Sequence, residues 1–251
     1  MKPTVRIATA TTPDGGEMAL YRHDSDFAIT VNRQDLMHSR RHESELELAR
    51  LGCAHLVGRK ESRVLVGGLG MGYTLRQALD MVDTDAKVVV GELLSAVVEW
   101  NRDFLGELNG QPLKDKRVEV KTCDVVELIS HSKNEYDAIL LDIDNGPSAV
   151  TDSGNDRLYG RKGILACQRA LRKGGTLAVW SSESCPVFEK VLLRCNFHVR
   201  GFRVSAHKGS KSRTCFIWVA SESRSALPPA GKVDTAQRQA MGARKVEPAR
   251  Q

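Results

Sequence analysis

Four acidic residues, each at or shortly after the end of a predicted strand, are the side chains of this sequence best suited to chemistry. They are Glu92, Asp124, Asp142 and Asp144. A carboxylate at such a point can accept hydrogen bonds from a ribose hydroxyl or an exocyclic amine. It can also bind a cationic amine and take its proton during attack on an electrophilic carbon. These residue types in this arrangement therefore point to a site for a nucleoside and an amine.

A glycine-rich turn precedes the acids in the chain. The apolar residues 64–66 are typical of a buried strand, and the turn separates them from a helical pattern that begins near Leu75. Glycine is required where φ is positive and where a ligand approaches the backbone, because no Cβ intervenes there. Glu92 comes 20 positions after Gly72, as a ribose-binding carboxylate would. We interpret Gly68, Gly70, Gly72 and Glu92 as nucleoside-binding; the alternative is a tight packing turn and a solvated strand end.

The other three acids each have two interpretations. Asp124 can accept from the amine of an adenine, or it can cap the helix predicted to begin at residue 125; one carboxylate can do both. Asp142 and Asp144 have one residue between them and are followed by Asn145, Gly146 and Pro147. They are either turn formers or the groups that bind and deprotonate an amine.

The order of strands and helices predicts how these residues are positioned. Strand and helix patterns alternate through residues 39–220, which predicts a doubly wound, mostly parallel Rossmann-like sheet. The last two predicted strands, 199–206 and 213–220, are joined by a short loop and must pair antiparallel as a C-terminal hairpin. Short alternating runs within residues 1–38 predict a small N-terminal antiparallel β unit. The ligand of such a sheet lies across the carboxyl ends of its strands, where all four acids are expected.

Composition narrows the functional classes. The 251 residues carry a formal charge of +6, and half of this excess falls in residues 221–251, which hold few large apolar residues and are expected to form a disordered basic tail. A nucleic-acid partner is therefore not expected. The six cysteines form no CxxC pair, so neither a metal site nor a disulfide framework is indicated. No segment has the length or composition of a membrane span or signal peptide, and we expect a cytoplasmic protein.

Taken together, these motifs resemble the spermidine synthase family of aminopropyltransferases, whose fold is of the class I methyltransferase type. The resemblance runs from about Val5 to Ala220. It is carried by the glycine turn 63–76, by Glu92, by Cys123 with Asp124, and by residues 136–147 with their two aspartates. The segments around Leu158 and Tyr159 and around residues 171–175 also look like the family's.

The resemblance implies an activity and roles for residues. An aminopropyl group would be transferred from decarboxylated S-adenosylmethionine to a small-molecule amine such as putrescine, without a metal. Asp142 would be the catalytic base, and Asp144 and Tyr159 would bind the amine. A homodimer is also expected. Two positions differ from the family pattern: Met71 stands where the family has an acid that contacts the donor's amine, and Arg41 stands where it has a tyrosine.

Two other functions remain open at this stage. A methyltransferase that uses ordinary S-adenosylmethionine would need no second cation site, so the pair at 142 and 144 favours the aminopropyltransferase. The missing acid at Met71 favours the methyltransferase, or a nucleoside-binding protein without catalytic activity.

Overall fold

A computed structural model describes residues 3–143, 146–149, 156–205 and 214–230 of the chain. It contains two β-sheets. The first is a four-stranded antiparallel sheet in the order β1-β2-β3-β4. Its strands are β1 (Val5–Thr11), β2 (Glu17–His23), β3 (Asp26–Val31) and β4 (Gln34–His38). The sheet agrees with the N-terminal β unit expected from the sequence, although the fourth strand was not predicted.

The second sheet has seven strands in the order β10-β11-β9-β8-β5-β6-β7. The strands are β5 (Arg63–Gly67), β6 (Lys87–Glu92), β7 (Val118–Thr122), β8 (Tyr136–Leu141), β9 (Leu171–Ser181), β10 (His198–Ser205) and β11 (Thr214–Ser221). Strands β5 to β9 pair parallel with one another, and β11 pairs antiparallel with both β9 and β10. The doubly wound sheet with a C-terminal antiparallel hairpin is therefore confirmed.

Seven α-helices accompany the strands in the described part of the chain. They are α1 (Glu43–Gly52), α2 (Tyr73–Met81), α3 (Ser95–Trp100), α4 (Val125–His131), α5 (Asp156–Tyr159), α6 (Arg161–Ala170) and α7 (Pro186–Arg194). None of the described helices is long and apolar enough to cross a membrane.

The central strands are buried on both faces, which is why their sequences are continuously apolar. In β5, Val64 and Val66 belong to one hydrophobic cluster, while Leu65 belongs to the other. The first cluster also contains Leu20 and Ile29 of the N-terminal sheet. The small sheet therefore packs on the same core as the large one, on the side where β5 and β8 present their carboxyl ends.

The segment 94–108, whose apolar residues recur at helical spacing, is not one continuous helix in the structure. Helix α3 ends at Trp100, a π-helical turn covers Asn101–Leu105, and a 3₁₀ turn covers Gly106–Asn109. The Asn101 amide donates to the backbone oxygens of Val97 and Gly70. Such insertion of a side chain into the helical hydrogen bonds is a recognised cause of helix irregularity.

The expected boundary of the tail at Ala220 is too early. Ser221 is fully buried in β11, and its hydroxyl donates to the Gly175 oxygen at 2.7 Å. Ala226 and Leu227 are buried as well, and Leu227 belongs to the hydrophobic core. The folded chain therefore extends beyond β11, because this short apolar stretch packs. The expectation of disorder for residues 231–251 lies outside the described residues.

Candidate functional site

A cavity of ≈ 610 Å³ lies at the carboxyl ends of the central strands, between the large sheet and the N-terminal sheet. Its walls come from six parts of the chain: β4 and the loop after it, the start of α1, the glycine turn with α2, the end of β8, the end of β9, and β11. The lining residues are Asp35, Leu36, Met37, His38, Arg41, Ser44, Glu45, Leu69, Gly70, Met71, Tyr73, Thr74, Asp142, Trp180, Ser182, Thr214 and Cys215. This is where the sheet topology predicts a ligand.

The three predicted glycines have positive φ but different surroundings. A Cβ on Gly68 would lie 2.4 Å from the Asp142 backbone oxygen, so this glycine allows β5 and β8 to approach. Gly72 precedes α2 with φ +83°, next to Asn101 and Asn109. Gly70 faces the cavity, and a Cβ there would meet only the Met37 side chain, at 3.3 Å from its sulfur. Of the three, Gly70 is therefore the position where a ligand can approach the backbone.

Glu92 lies at the end of β6 and connects two loops. Its Oε2 accepts from the Leu69 N–H at 2.9 Å, and its Oε1 accepts from the Leu94 N–H at 2.8 Å. Only 8% of the residue is exposed, and burial raises the pKa of the carboxyl group although these backbone N–H groups oppose the rise. Glu92 therefore positions the glycine turn, because its backbone N–H donors come from the loops that follow β5 and β6.

Asp124 is the cap of α4, as one of its two interpretations predicts. Its Oδ1 accepts from the Val126 N–H at 2.8 Å. Its Oδ2 lies 3.5 Å from the Arg157 guanidinium in a partly exposed ion pair. Asp124 and Glu92 follow neighbouring strands, but neither lines the cavity described above. They lie beyond the glycine turn, at the ends of β6 and β7.

Asp142 follows β8 and lines the cavity. Its Oδ2 accepts a 2.6 Å hydrogen bond from the Thr74 hydroxyl in α2. Burial raises the pKa of the Asp142 carboxyl group, and the Thr74 hydrogen bond only partly offsets the rise. A desolvated carboxyl group that lines the cavity can serve as a general base towards a bound amine.

Glu45 is a second carboxyl group in the cavity, and it was not predicted from the sequence. It lies in the first turn of α1, and its Oε2 accepts from the Ser44 hydroxyl at 2.6 Å. Burial and the neighbouring Asp142 raise its pKa to about 8. A sequence signal existed, because Glu45 precedes the buried Leu48 by three positions and so lies on the inward face of α1.

The chain between β4 and α1 covers the glycine turn. The Tyr73 hydroxyl donates to the Ser39 backbone oxygen at 3.2 Å, and the His42 ring stacks on Tyr73 with 4.2 Å between centroids. Met37 lies against Gly70. The N-terminal unit therefore closes the cavity on one side.

The two residues expected to bind an amine have different outcomes. Asp144 lies outside the described residues. Tyr159 does not line the cavity; it is 2% exposed, and its ring packs edge-on against Phe188. Its hydroxyl lies 3.4 Å from the Ile143 backbone oxygen, directly after Asp142. Tyr159 therefore packs in the core behind the site, because α5 turns its ring towards α7.

Comparison with known proteins identifies the family to which this chain is similar. A family model described as the spermine/spermidine synthase domain matches residues 48–206. The polyamine aminopropyltransferase of Saccharolobus islandicus (strain L.S.2.15 / Lassen #1) is 30% identical over 120 residues, which are 48% of this chain and 38% of that protein. That of Prochlorococcus marinus subsp. pastoris is 31% identical over 133 residues, 53% of this chain and 44% of that protein. The matches span less than half the length of these curated relatives.

Solved structures share the fold. Spermidine synthase from Thermotoga maritima superposes with a TM-score of 0.68 at 19% sequence identity. The superposition covers 89% of this chain and 76% of the Thermotoga maritima chain. A probable spermidine synthase from Corynebacterium glutamicum gives a TM-score of 0.65 at 13% identity, over 96% and 86% of the two chains. These structures confirm the methyltransferase-type architecture. Because the family model matches well over half of its 251 residues, the chain belongs to the spermine/spermidine synthase family.

Proposed function

We propose that this protein transfers an aminopropyl group from decarboxylated S-adenosylmethionine to a small amine such as putrescine. The observation that carries the proposal is the position of Asp142. Its desolvated carboxyl group lies at the end of β8, in the same cavity as the glycine turn. A base beside a nucleoside-binding turn is what transfer to an amine nitrogen needs.

The residues at the glycine turn and at the ends of β6 and β7 fit the donor molecule. Gly70 leaves the backbone of the turn open towards the cavity, and Glu92, which accepts from the Leu69 N–H, is the acid that would contact the ribose. Asp124 would lie next to the adenine. When bound, the donor supplies an electrophilic carbon attached to a sulfonium. The acids near the cavity suit its positive charge.

The chain's contribution to the reaction follows from the cavity. Asp142 accepts the proton of the acceptor amine as the nitrogen forms its bond to carbon, and the carbon–sulfur bond breaks to give a neutral thioether, 5′-methylthioadenosine. The Thr74 hydroxyl orients the Asp142 carboxyl group through its 2.6 Å hydrogen bond. The glycine turn, β4 and α1 form the walls of the cavity in which the reaction would take place. Asp144 remains a candidate for binding the amine.

The comparisons support this proposal at the level of the family. The curated relatives are polyamine aminopropyltransferases, and one structural neighbour is a spermidine synthase in complex with the transition state analogue AdoDATO. That neighbour shares the fold at 19% identity and a TM-score of 0.68.

One observation favours a second function, methyl transfer from ordinary S-adenosylmethionine. Between β5 and α2, Leu69 and Met71 are the residues whose side chains line the cavity, and neither carries a charge that could bind the donor's amine. A donor that also has a carboxylate could instead pair with Arg41 at the cavity rim.

Calorimetric titration with decarboxylated and with ordinary S-adenosylmethionine separates the two functions. We expect the decarboxylated donor to bind more tightly, and expect incubation with putrescine to yield 5′-methylthioadenosine and the aminopropylated amine. Tighter binding of ordinary S-adenosylmethionine, with S-adenosylhomocysteine as product, would favour methyl transfer. The expected homodimer and the cytoplasmic location stay predictions, to be checked by sedimentation and by cell fractionation.

A further inference from the structure

Helix α1 and strand β8 bring two carboxyl groups into one wall of the cavity. The Thr74 hydroxyl contacts both elements. Its oxygen lies 2.6 Å from Asp142 Oδ2 and 3.5 Å from the backbone oxygen of Glu45. Both residues line the cavity, and burial, followed by the negative charge of Asp142, raises the pKa of the Glu45 carboxyl group. The two acids therefore face the same region.

Neither carboxyl group has a counter-ion within the described part of the chain. Among the described residues, no Lys, Arg or His side chain forms an ion pair with Glu45 or Asp142. The two basic residues that line the cavity, His38 and Arg41, belong to β4 and the loop after it. Burial lowers the pKa of His38, so its ring is neutral at physiological pH. The cavity thus has an acidic wall that the described residues leave unneutralised.

An ammonium group matches this wall in charge and in hydrogen bonding. Two carboxylates in a desolvated region repel each other, and a cation between them removes that cost. A primary ammonium has three N–H donors and can reach both carboxylates at once. The surrounding side chains of Leu69, Met71 and Trp180 suit the carbon chain of an amine.

We propose that Glu45 is a substrate-binding residue, which together with Asp142 binds the cationic nitrogen of the acceptor amine. This inference rests on the proposed function and extends it, because it assigns the cation site to helix α1. Asp142 receives the proton in the transfer step, while Glu45, once deprotonated, supplies the negative charge that holds the amine.

The proposal has a pH signature. Besides Glu45 and Asp142, the titratable or charged groups that face the cavity are Asp35, His38, Arg41, Tyr73 and Cys215. Burial raises the pKa of Tyr73 to about 12, raises that of the Cys215 thiol and lowers that of His38, so all three stay neutral between pH 7 and 9. The Glu45 carboxyl group has a pKa of about 8, so the Glu45 and Asp142 pair loses a proton in this range. The added negative charge strengthens binding of an ammonium ion.

The test compares Glu45→Gln with Glu47→Gln, a control on the same helix that lies outside the cavity and pairs with Arg50. Calorimetry on the full chain measures putrescine binding in the presence of 5′-methylthioadenosine at pH 7 and pH 9, and separately the affinity for 5′-methylthioadenosine. We expect Glu45→Gln to weaken putrescine binding about 10- to 100-fold, as for loss of one charged hydrogen bond. The increase in putrescine affinity from pH 7 to pH 9 should also be smaller in Glu45→Gln than in the parent. Nucleoside affinity should not change, and Glu47→Gln should match the parent.

Three outcomes would overturn the inference: equal putrescine affinity in Glu45→Gln and parent, no amine binding by the parent, or Mg²⁺ that binds with the same dependence on Glu45. A transfer assay on the same proteins distinguishes this from failure of the proposed function. If the parent forms an aminopropylated product and Glu45→Gln does so with an unchanged KM for the amine, the inference fails while the function stands. If putrescine binding depends on Glu45 but no transfer occurs, the amine site stands and the function fails.

Discussion

Burial changes the proton affinity of individual acidic residues in the cavity. Asp142 and Glu45 are ordinary acids in composition, yet desolvation raises the pKa of both, and the charge of Asp142 adds to the effect on Glu45. Thr74 donates to Asp142 and partly counteracts this shift. The cavity therefore contains a carboxyl group with a raised proton affinity, which makes it a stronger general base than an exposed aspartate.

Asp142→Asn should separate catalysis from binding. The amide keeps the shape of the side chain and can accept the Thr74 hydrogen bond, but it cannot take a proton from the amine. Turnover is expected to fall by about 10²- to 10⁴-fold, while affinity for 5′-methylthioadenosine changes little. Steady-state rates with putrescine and calorimetry with the nucleoside measure the two effects, and the exposed Asp103→Asn serves as control.

In the parent, the rate should also rise from neutral towards alkaline pH. A free primary amine has a pKa of about 10.4, like lysine, and must lose a proton to attack. Turnover of Asp142→Asn at the parent's level with every amine tested would contradict the role of this residue.

Glu45 should make the stability of the protein depend on pH. The pKa of its carboxyl group rises from the ordinary value of 4.5 to about 8 on folding, so between these values the folded chain binds more protons than the unfolded chain. The free energy of unfolding must then decrease as the pH rises through this window. We expect Glu45→Gln to match the parent near pH 5 and to melt at a higher temperature than the parent near pH 9.

Thermal melting at several pH values, monitored by circular dichroism, measures this difference. Glu47→Gln should give a curve parallel to the parent's, because Glu47 is paired with Arg50 at the surface. Parallel curves for Glu45→Gln and the parent would show that Glu45 does not hold its proton in the folded state.

Sequence patterns identified the residues at strand ends but not those contributed by helices. Asp142 and Glu92 were found because a carboxylate after a parallel strand has a defined place at the sheet edge. Glu45 and Thr74 were missed because their roles depend on how α1 and α2 pack against that edge. Tyr159 was expected at the site because of its place in the sequence, whereas the rotation of α5 turns it into the core.

The glycine turn is an element whose shape several neighbours maintain. Glu92 accepts from the Leu69 N–H, and the amides of Asn101 and Asn109 donate to the backbone oxygens of Gly70 and Met71. The π-helical turn at Asn101–Leu105 belongs to the segment that supplies these amides. Hydropathy periodicity predicts a continuous helix at 94–108 because it does not register a side chain that bonds to another loop.

Gly70→Val should remove nucleoside binding and leave the fold largely intact. Gly70 has a φ of +50°, where a β-branched residue is strained, and its Cβ would displace Met37 and narrow the approach to the backbone. We expect a loss of at least about tenfold in affinity for 5′-methylthioadenosine, from the clash and the strain together.

Gly15→Val is a matched control. Gly15 also has a positive φ, +87°, but nothing lies within 4 Å of a Cβ there. It should lower the melting temperature through strain alone and keep the parent's nucleoside affinity. Parent-like affinity in Gly70→Val would place the nucleoside away from the glycine turn.

At the scale of the whole molecule, the two sheets form one site only in combination. Residues of β4 and the loop after it line the cavity together with the ends of β8, β9 and β11. The strand order of the large sheet follows from alternating hydropathy and short connections, which the sequence displays. The docking of the small sheet depends on contacts such as Tyr73 with Ser39, which no local pattern predicts.

The C-terminal boundary of the folded chain gives the last prediction. Truncation after Ala220 removes Ser221, whose hydroxyl donates to Gly175, and the buried Leu227; it also removes Pro228, whose backbone oxygen accepts from Arg200. Burial of one leucine contributes about 1.5 to 3 kcal/mol and one hydrogen bond about 1 kcal/mol. For a protein of this size, each kcal/mol shifts the melting temperature by about 2 to 4 °C.

A chain that ends at Ala220 should therefore melt roughly 5 to 15 °C below the full chain in scanning calorimetry. The control is a chain that ends at Ala230, which keeps these contacts and lacks residues 231–251 as well. Few of those residues are large and apolar, so we expect the control to melt within about 2 °C of the full chain. Equal melting of the two truncated chains would contradict the packing of residues 221–228. A large drop in the control relative to the full chain would show instead that residues 231–251 stabilise the fold.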